Sequence, residues 1–166
     1  CIRDRGYNAL RSNTTGTSNV ALGGNSLSNN TTGNNNTAVG TSALQNNTTG
    51  TGNVSVGVGS LCLNTGGNFN TAVGNSSLNK NTTGAYNTAM GVNALNNNTI
   101  GYSNVAFGSS ALVYNTTGKN NTAVGTAALQ CNVVGIANTA VGTNALLCNT
   151  ASKNTAVGYL ALRCNT

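Results

Sequence analysis

Three cysteines are the side chains best suited to chemistry, because thiols form disulfides and bind soft metal ions. Cys131, Cys148 and Cys164 follow one another at a regular step that is one position shorter before Cys164. This spacing predicts either a column of free thiols or a disulfide, within one chain or between chains. A structural zinc site takes four ligands, so no metal site is predicted. Cys62 is one position out of this column, and Cys1 is terminal.

Acid–base chemistry has almost no candidate residues in this chain. It contains no His and one acidic residue, Asp4, so neither a Ser-His-Asp set nor a carboxylate pair can be assembled. The many Ser and Thr hydroxyls have no base to activate them. The sequence therefore predicts no catalytic residues, no cofactor and no enzymatic activity.

Five asparagines begin an Asn-Thr-Thr-Gly sequence in one turn of the repeat, and its Asn-x-Thr pattern is an acceptor for N-glycosylation in secreted proteins. The same Asn-Thr-Thr-Gly sequence also forms turns readily, because Asn and Gly adopt turn geometry at low cost. Both interpretations are open from the sequence. The candidate acceptors are Asn13, Asn30, Asn47, Asn81 and Asn115.

These residues recur because the chain is one short unit repeated. The phrase Asn-Thr-Ala-Val-Gly begins at Asn36, Asn70 and Asn121, and related phrases fill the steps between at 17-residue intervals. The last interval, from Asn138 to Asn154, is one position shorter, and the missing residue is in a turn. A unit this short has no room for a helix beside its turns. We predict an all-β parallel β-solenoid of about ten rungs, forming a single domain over 1–166, in a segment of a longer repeat protein.

The strand columns predict which side chains point inward. The residue before the Gly that ends each Asn-Thr-Ala-Val-Gly or related phrase is always apolar, as in Val39 or Phe107. We expect it to face the core together with the β-branched residue two positions earlier. The residue between them is only Ala or Ser, so we expect its face to pack against a partner chain. This predicted self-association face consists of Ala21, Ala38, Ser55, Ala72, Ala89, Ala106, Ala123, Ala140 and Ala156.

A column of leucines, from Leu10 to Leu162, predicts a second short strand in each rung. The turn after it carries an Asn in every rung, which predicts a stacked asparagine ladder. Phe69 and Tyr86 occupy the same turn column in neighbouring rungs and could stack on each other. A surface ladder of aromatic rings is the simpler interpretation, and a sugar- or base-binding platform is the alternative.

Charge and hydropathy exclude two classes of partner. Only 5% of residues are charged, and the net charge of +6 comes from scattered Lys and Arg, whereas a nucleic-acid surface needs clustered basic residues. No apolar run reaches the length of a membrane helix. We therefore expect neither nucleic-acid binding nor membrane insertion in this segment.

The phrase Asn-Thr-Ala-Val-Gly-x-x-Ala-Leu resembles the head repeats of trimeric autotransporter adhesins and the repetitive shafts of phage and viral tail fibres. The resemblance implies a left-handed parallel β-roll in which three chains pack through their small-residue faces. It also implies an extracellular, cell-surface or virion-surface location.

Three functions follow as hypotheses. The first is a structural rod or head segment of an extracellular fibre or adhesin, a homotrimer that presents a repetitive surface to a host-surface glycan or protein receptor. The second is a subunit of an indefinitely self-assembling filament, because an uncapped solenoid end is an open strand edge. The third is ice binding by the Thr row, which we expect to be weakened because that row shares a face with the predicted core.

Overall fold

The chain folds into a parallel β-solenoid, as the repeat predicts. The computed structural model describes residues 3–165, so Cys1 and Thr166 lie outside the described residues. All ten strands are three residues long, and they form one parallel sheet in chain order. The strands are β1 (Arg3–Arg5), β2 (Val20–Leu22), β3 (Thr37–Val39), β4 (Val54–Val56), β5 (Thr71–Val73), β6 (Thr88–Met90), β7 (Val105–Phe107), β8 (Thr122–Val124), β9 (Thr139–Val141) and β10 (Thr155–Val157).

Strand register follows the repeat. Ala38 pairs with Ala21 on one side and with Ser55 on the other, and each of these partners is the equivalent residue of a neighbouring rung. Ala156 pairs with Ala140 across the single shorter step. At the usual spacing of about 4.8 Å between strands, ten rungs make a sheet about 45 Å long.

The leucine segment is not a second strand, contrary to our prediction. After each strand the backbone enters the left-handed region at alternate residues, with φ of 128° at Gly40, 56° at Ser42 and 52° at Leu44. A strand needs φ near −120°, so this segment forms consecutive turns. It still bonds to its neighbours in the stack, since the N–H of Leu44 donates to the carbonyl of Ser60 at 3.0 Å.

The core is narrow and contains one large side chain in each rung. The leucines are fully buried from Leu27 to Leu146. Beside them lie the alanine or serine that precedes each Leu and the middle residue of each strand, such as Ala38, which is 0% exposed. The first and third strand residues point the other way, and their burial is intermediate or low. Our predicted strand orientation is therefore wrong: the middle residue of each strand from β2 to β10 faces the core, and the two residues on either side of it face outward.

Two asparagine ladders run through the interior, and they confirm the predicted stacking of Asn on Asn. In the ladder of the second turn, Asn47 Nδ2 donates to Asn30 Oδ1 at 2.7 Å. In the ladder that precedes the strands, Asn36 Oδ1 accepts from the backbone N–H of Asn53 at 2.9 Å. Both ladders converge on one carbonyl in each rung, because Asn36 Nδ2 and Asn47 Nδ2 both donate to Gly50 O. These bonds close the turn from inside.

The shorter rung keeps this pattern although it lacks one turn residue. Asn149 Nδ2 donates to the carbonyl of Ala151, two positions later, where other rungs use a Gly three positions later. The N–H of Asn154 still donates to Asn138 Oδ1 at 2.9 Å. The deletion lies in the turn, as predicted, and the strand after it stays in register.

Candidate functional site

The outward side of the sheet is a surface without charged side chains that runs along nine strands. We define the strand face as the first and third residues of β2 to β10, and it contains no charged side chain. The first positions are Val or Thr, and the third positions are aliphatic except for Phe107. Several of these side chains are well exposed, including Leu22 at 48%, Phe107 at 38% and Val124 at 37%. The third positions form a continuous apolar column, and an exposed apolar surface of this length usually marks an interaction site.

The predicted self-association face is wrong, because its side chains are inside the solenoid. Ala21 is 1% exposed, Ala156 is 4% exposed, and the members of the column between them are all 0% exposed. The only hydroxyl in the column is bonded internally, with Ser55 Oγ donating to the carbonyl of Ser60 at 2.9 Å. The small size of this column therefore reflects the narrow space beside each Leu.

The five candidate glycosylation sites belong to the second-turn ladder. Asn30, Asn47, Asn81 and Asn115 are 0% exposed, and Asn13 is partly buried. The amide nitrogen that would carry a sugar is a donor in the ladder, as in Asn81 Nδ2 to Asn64 Oδ1 at 2.8 Å. A glycan on this atom would break those bonds, so the folded solenoid is incompatible with glycosylation at these positions.

The cysteine column lies on the turn after the leucines. Cys131 and Cys148 are partly buried, Cys164 is exposed, and all three are free thiols, as is Cys62. A hydrogen bond with Cys148 raises the pKa of Cys164, and burial raises the pKa of Cys62. Within residues 3–165, no group of three or more Cys, His or acidic side chains is arranged to hold a metal ion.

Aromatic side chains cluster on the turn that precedes the strands. The rings of Phe69 and Tyr86 stack with centroids 5.4 Å apart and planes inclined by 17°, as the sequence predicts. One rung further, Lys119 Nζ lies 5.3 Å from the centroid of Tyr102. We call these four residues the aromatic turn. The contact between Tyr102 and Lys119 was not predicted, although their separation by one repeat places them in one column.

Comparisons with known proteins give no relative for this chain. No family model, no curated protein and no solved structure matches it. Residues 3–165 contain no helix that is long and apolar enough to cross a bilayer.

Proposed function

We propose that this chain is a structural rod segment of an extracellular fibre or surface adhesin, and that copies of it assemble through the strand face. The observation that carries the proposal is the absence of charge from every outward position on nine consecutive strands. Charged residues are the ordinary means of keeping an exposed sheet surface solvated and free of partners. A face without them is suited to burial against another protein.

The repeat supports a second copy of the same chain as the partner. Residues of the strand face recur at one rung spacing, so another copy presents the same side chains at the same intervals. Apolar columns on two copies can then meet along about 40 Å of length. The narrow core has one large side chain in each rung, and burial of a second apolar surface would add stability that this core lacks. The resemblance to trimeric adhesin heads supports three copies.

Mass in solution tests the proposal. Light scattering with size-exclusion chromatography should give about three times the 16.5 kDa chain mass. Replacing Val73 and Val124 with Lys should give monomers. The Lys charges would be buried in the interface without an acidic residue to pair with, which is energetically costly. Replacing Thr49 and Thr117, which are exposed on a turn, with Lys is the matched control and should leave the mass unchanged. A stable wild-type monomer would contradict self-association, and a twofold mass would reject the trimer alone.

Lengthwise growth into a filament is an alternative mode of self-assembly. Each rung donates backbone N–H groups to the next, as in Val54 to Asn70 O at 2.8 Å, so a terminal rung can pair with another molecule. Electron micrographs at high protein concentration distinguish the two modes. Long fibres favour the filament, and discrete short rods favour lateral assembly alone.

Ice binding is a second candidate function because the Thr row points outward, contrary to our expectation. Thr71 and Thr88 are consecutive in that row, as are Thr122, Thr139 and Thr155. The neighbouring column varies in size from Val to Phe107, which makes the face uneven and favours a protein partner over a crystal plane. Measurement of thermal hysteresis tests this candidate, and we expect none.

A further inference from the structure

In the turn before each strand, one backbone N–H is bonded to a side-chain oxygen in several rungs, but this bond is missing in the rungs of the aromatic turn. In the first rungs each such N–H donates to the side-chain oxygen of the equivalent residue one rung later. Thr17 donates to Asn34 Oδ1 at 2.7 Å, and Thr51 donates to Asn68 Oδ1 at 2.8 Å. The same bond returns near the C-terminal end, from Ile136 to Ser152 Oγ at 2.9 Å. These bonds show that a polar side chain in this column closes the turn.

Four consecutive rungs lack that closing oxygen. The residues that follow Asn68 in the column are Ala85, Tyr102, Lys119 and Ile136, and none of them has a side-chain oxygen close enough to its backbone to accept such a bond. Within residues 3–165, the backbone N–H of Asn68 has no protein acceptor. The Asn68 side chain is turned toward the preceding rung, where its Oδ1 accepts from the N–H of Thr51 at 2.8 Å. The N–H of Asn68 belongs to the residue directly before Ala85 in the column, so it lies beside the position that a longer side chain would fill.

The position left by Ala85 is bordered by aromatic residues. Tyr86 is the next residue in the chain and is 62% exposed. Tyr102 follows Ala85 in the column, and Lys119, on the rung beyond, lies over the Tyr102 ring. On the rung before Tyr102, the residue in this column is Ala85, whose side chain is only a methyl group. Phe69 supports the cluster, since its ring packs against Tyr86 and beside the backbone of Gly52.

We infer that a saccharide ring binds at Ala85, stacked on Tyr102 beside Tyr86, with one of its oxygens accepting a hydrogen bond from the backbone N–H of Asn68. Sugars combine apolar ring faces with acceptor oxygens, and this site combines aromatic faces with an unpaired N–H donor. A nucleic-acid base could also stack here, but its phosphates need clustered cations, and Lys119 is the only cationic residue of the aromatic turn. The site is shallow, so one copy binds weakly.

This inference deepens the proposed function, because it supplies the receptor chemistry of the rod, and several copies in one multimer would raise the avidity. The saccharide site is on a turn, whereas the proposed interface between copies is on the strand face. Experiments can therefore reject either proposal without rejecting the other.

Amide NMR with a panel of methyl glycosides tests the site. We use neutral hexoses, N-acetylhexosamines and uronic acids as probes at millimolar concentration. The Asn68 amide signals should shift with at least one class, whereas the N–H of Thr17, which is already bonded to Asn34, should not. If no probe in the panel shifts the Asn68 signals, or if oligothymidylate shifts them and no saccharide does, the inference is wrong.

Variants separate the stacking from the hydrogen bond. Tyr102→Ala removes the stacking ring and should weaken binding at least tenfold. Ala85→Thr places an oxygen where Thr51 has one for Asn34, so it should close the site, weaken binding at least tenfold and leave the fold intact. Tyr114→Ala removes an exposed ring on another turn and should bind as wild type. Wild-type binding by Ala85→Thr, or equal losses in Tyr102→Ala and Tyr114→Ala, would overturn the inference.

The multimer mass is the readout that keeps the two proposals apart. Tyr102→Ala should have the same mass as wild type. A wild-type monomer that still binds the saccharide would contradict self-association and support the site. A multimer that binds no saccharide would support self-association and contradict the saccharide site.

Discussion

Gly23 and Gly24 are adjacent in the sequence but have different constraints. Gly23 has φ of 132°, and a Cβ atom there would lie 2.6 Å from the carbonyl carbon of Gly40 in the next rung. Real Cβ contacts are not this short, so the stacking of rungs requires Gly at this position. Gly24 has open space where a Cβ atom would lie, with nothing within 4 Å.

We predict that Gly23→Ala and Gly24→Ala differ strongly in stability. Gly23→Ala should lower the free energy of unfolding by about 2 kcal/mol or more, because it combines a clash with a strained backbone conformation. Gly24→Ala should be neutral or raise it by up to about 1 kcal/mol, by reducing the entropy of the unfolded chain. Urea unfolding followed by circular dichroism measures both variants. Equal effects would show that the rungs are not packed as described.

Asparagine identity in the ladders also has a physical cause at this scale. Each ladder residue donates from Nδ2 and accepts at Oδ1, as Asn47 does with Gly50 and Asn64. An aspartate of similar size could accept but not donate, and a leucine could do neither. An internal amide column therefore requires the same residue in every rung, which explains why Asn is so frequent in the chain.

Each strand from β2 to β10 has one inward side chain, that of its middle residue, and the space available inside the solenoid limits the size of that side chain. The inward residue lies beside a buried Leu in a narrow solenoid, so only Ala or Ser fits. The third residue of each strand, which faces outward, varies in size from Val73 to Met90 and Phe107. Variation of size in a strand column therefore marks the surface of this element.

Ala72→Leu tests this orientation against the one that we predicted from the sequence. Ala72 is 0% exposed, so the larger side chain should overpack the core and lower the free energy of unfolding by about 1 to 3 kcal/mol. Val73→Leu is the matched control on the strand face, and we expect a change below about 0.5 kcal/mol. If Ala72 faced a partner chain instead, Ala72→Leu would lower the multimer mass and leave the stability of the single chain unchanged.

The sequence predicted the rung length, the solenoid and the stacked Asn side chains, because these follow from regular recurrence. It did not predict the orientation of the strands. A three-residue strand such as Thr71–Val73 alternates correctly with either side inward, and the apolar Val suggested the wrong one. The left-handed conformation of Leu44 was also missed, because an isolated Leu disfavours it by about 1 kcal/mol or more. Burial and stacking in the rung stabilise it here. Of the candidate site, only the Phe69 and Tyr86 stack was predicted.

At the scale of the whole molecule, each strand within residues 3–165 contacts only the strand before it and the strand after it. Stability in such an array is close to a sum of rung terms and interface terms between neighbours. The position of a rung in the stack then determines how much one of its side chains contributes. Leu78 has rungs on both sides and is 0% exposed, whereas Leu162 lies in the last described rung and is 53% exposed.

Leu78→Ala and Leu162→Ala should therefore differ although the substitution is the same. In the full chain, Leu78→Ala should lower the free energy of unfolding by about 2 to 5 kcal/mol, because it leaves a cavity between two rungs. Leu162→Ala should lower it by about 0.5 kcal/mol or less, because its side chain is already in contact with water. Thermal melts and hydrogen exchange compare the two. A uniform loss of stability would contradict the nearest-neighbour description.

Identical rung contacts also affect how the gene can change. A duplication or loss of one in-frame repeat keeps every ladder bond and every strand pair, and it alters only the number of rungs. Each such event lengthens or shortens the rod by about 4.8 Å. The length of the rod can therefore be inherited and selected separately from its surface.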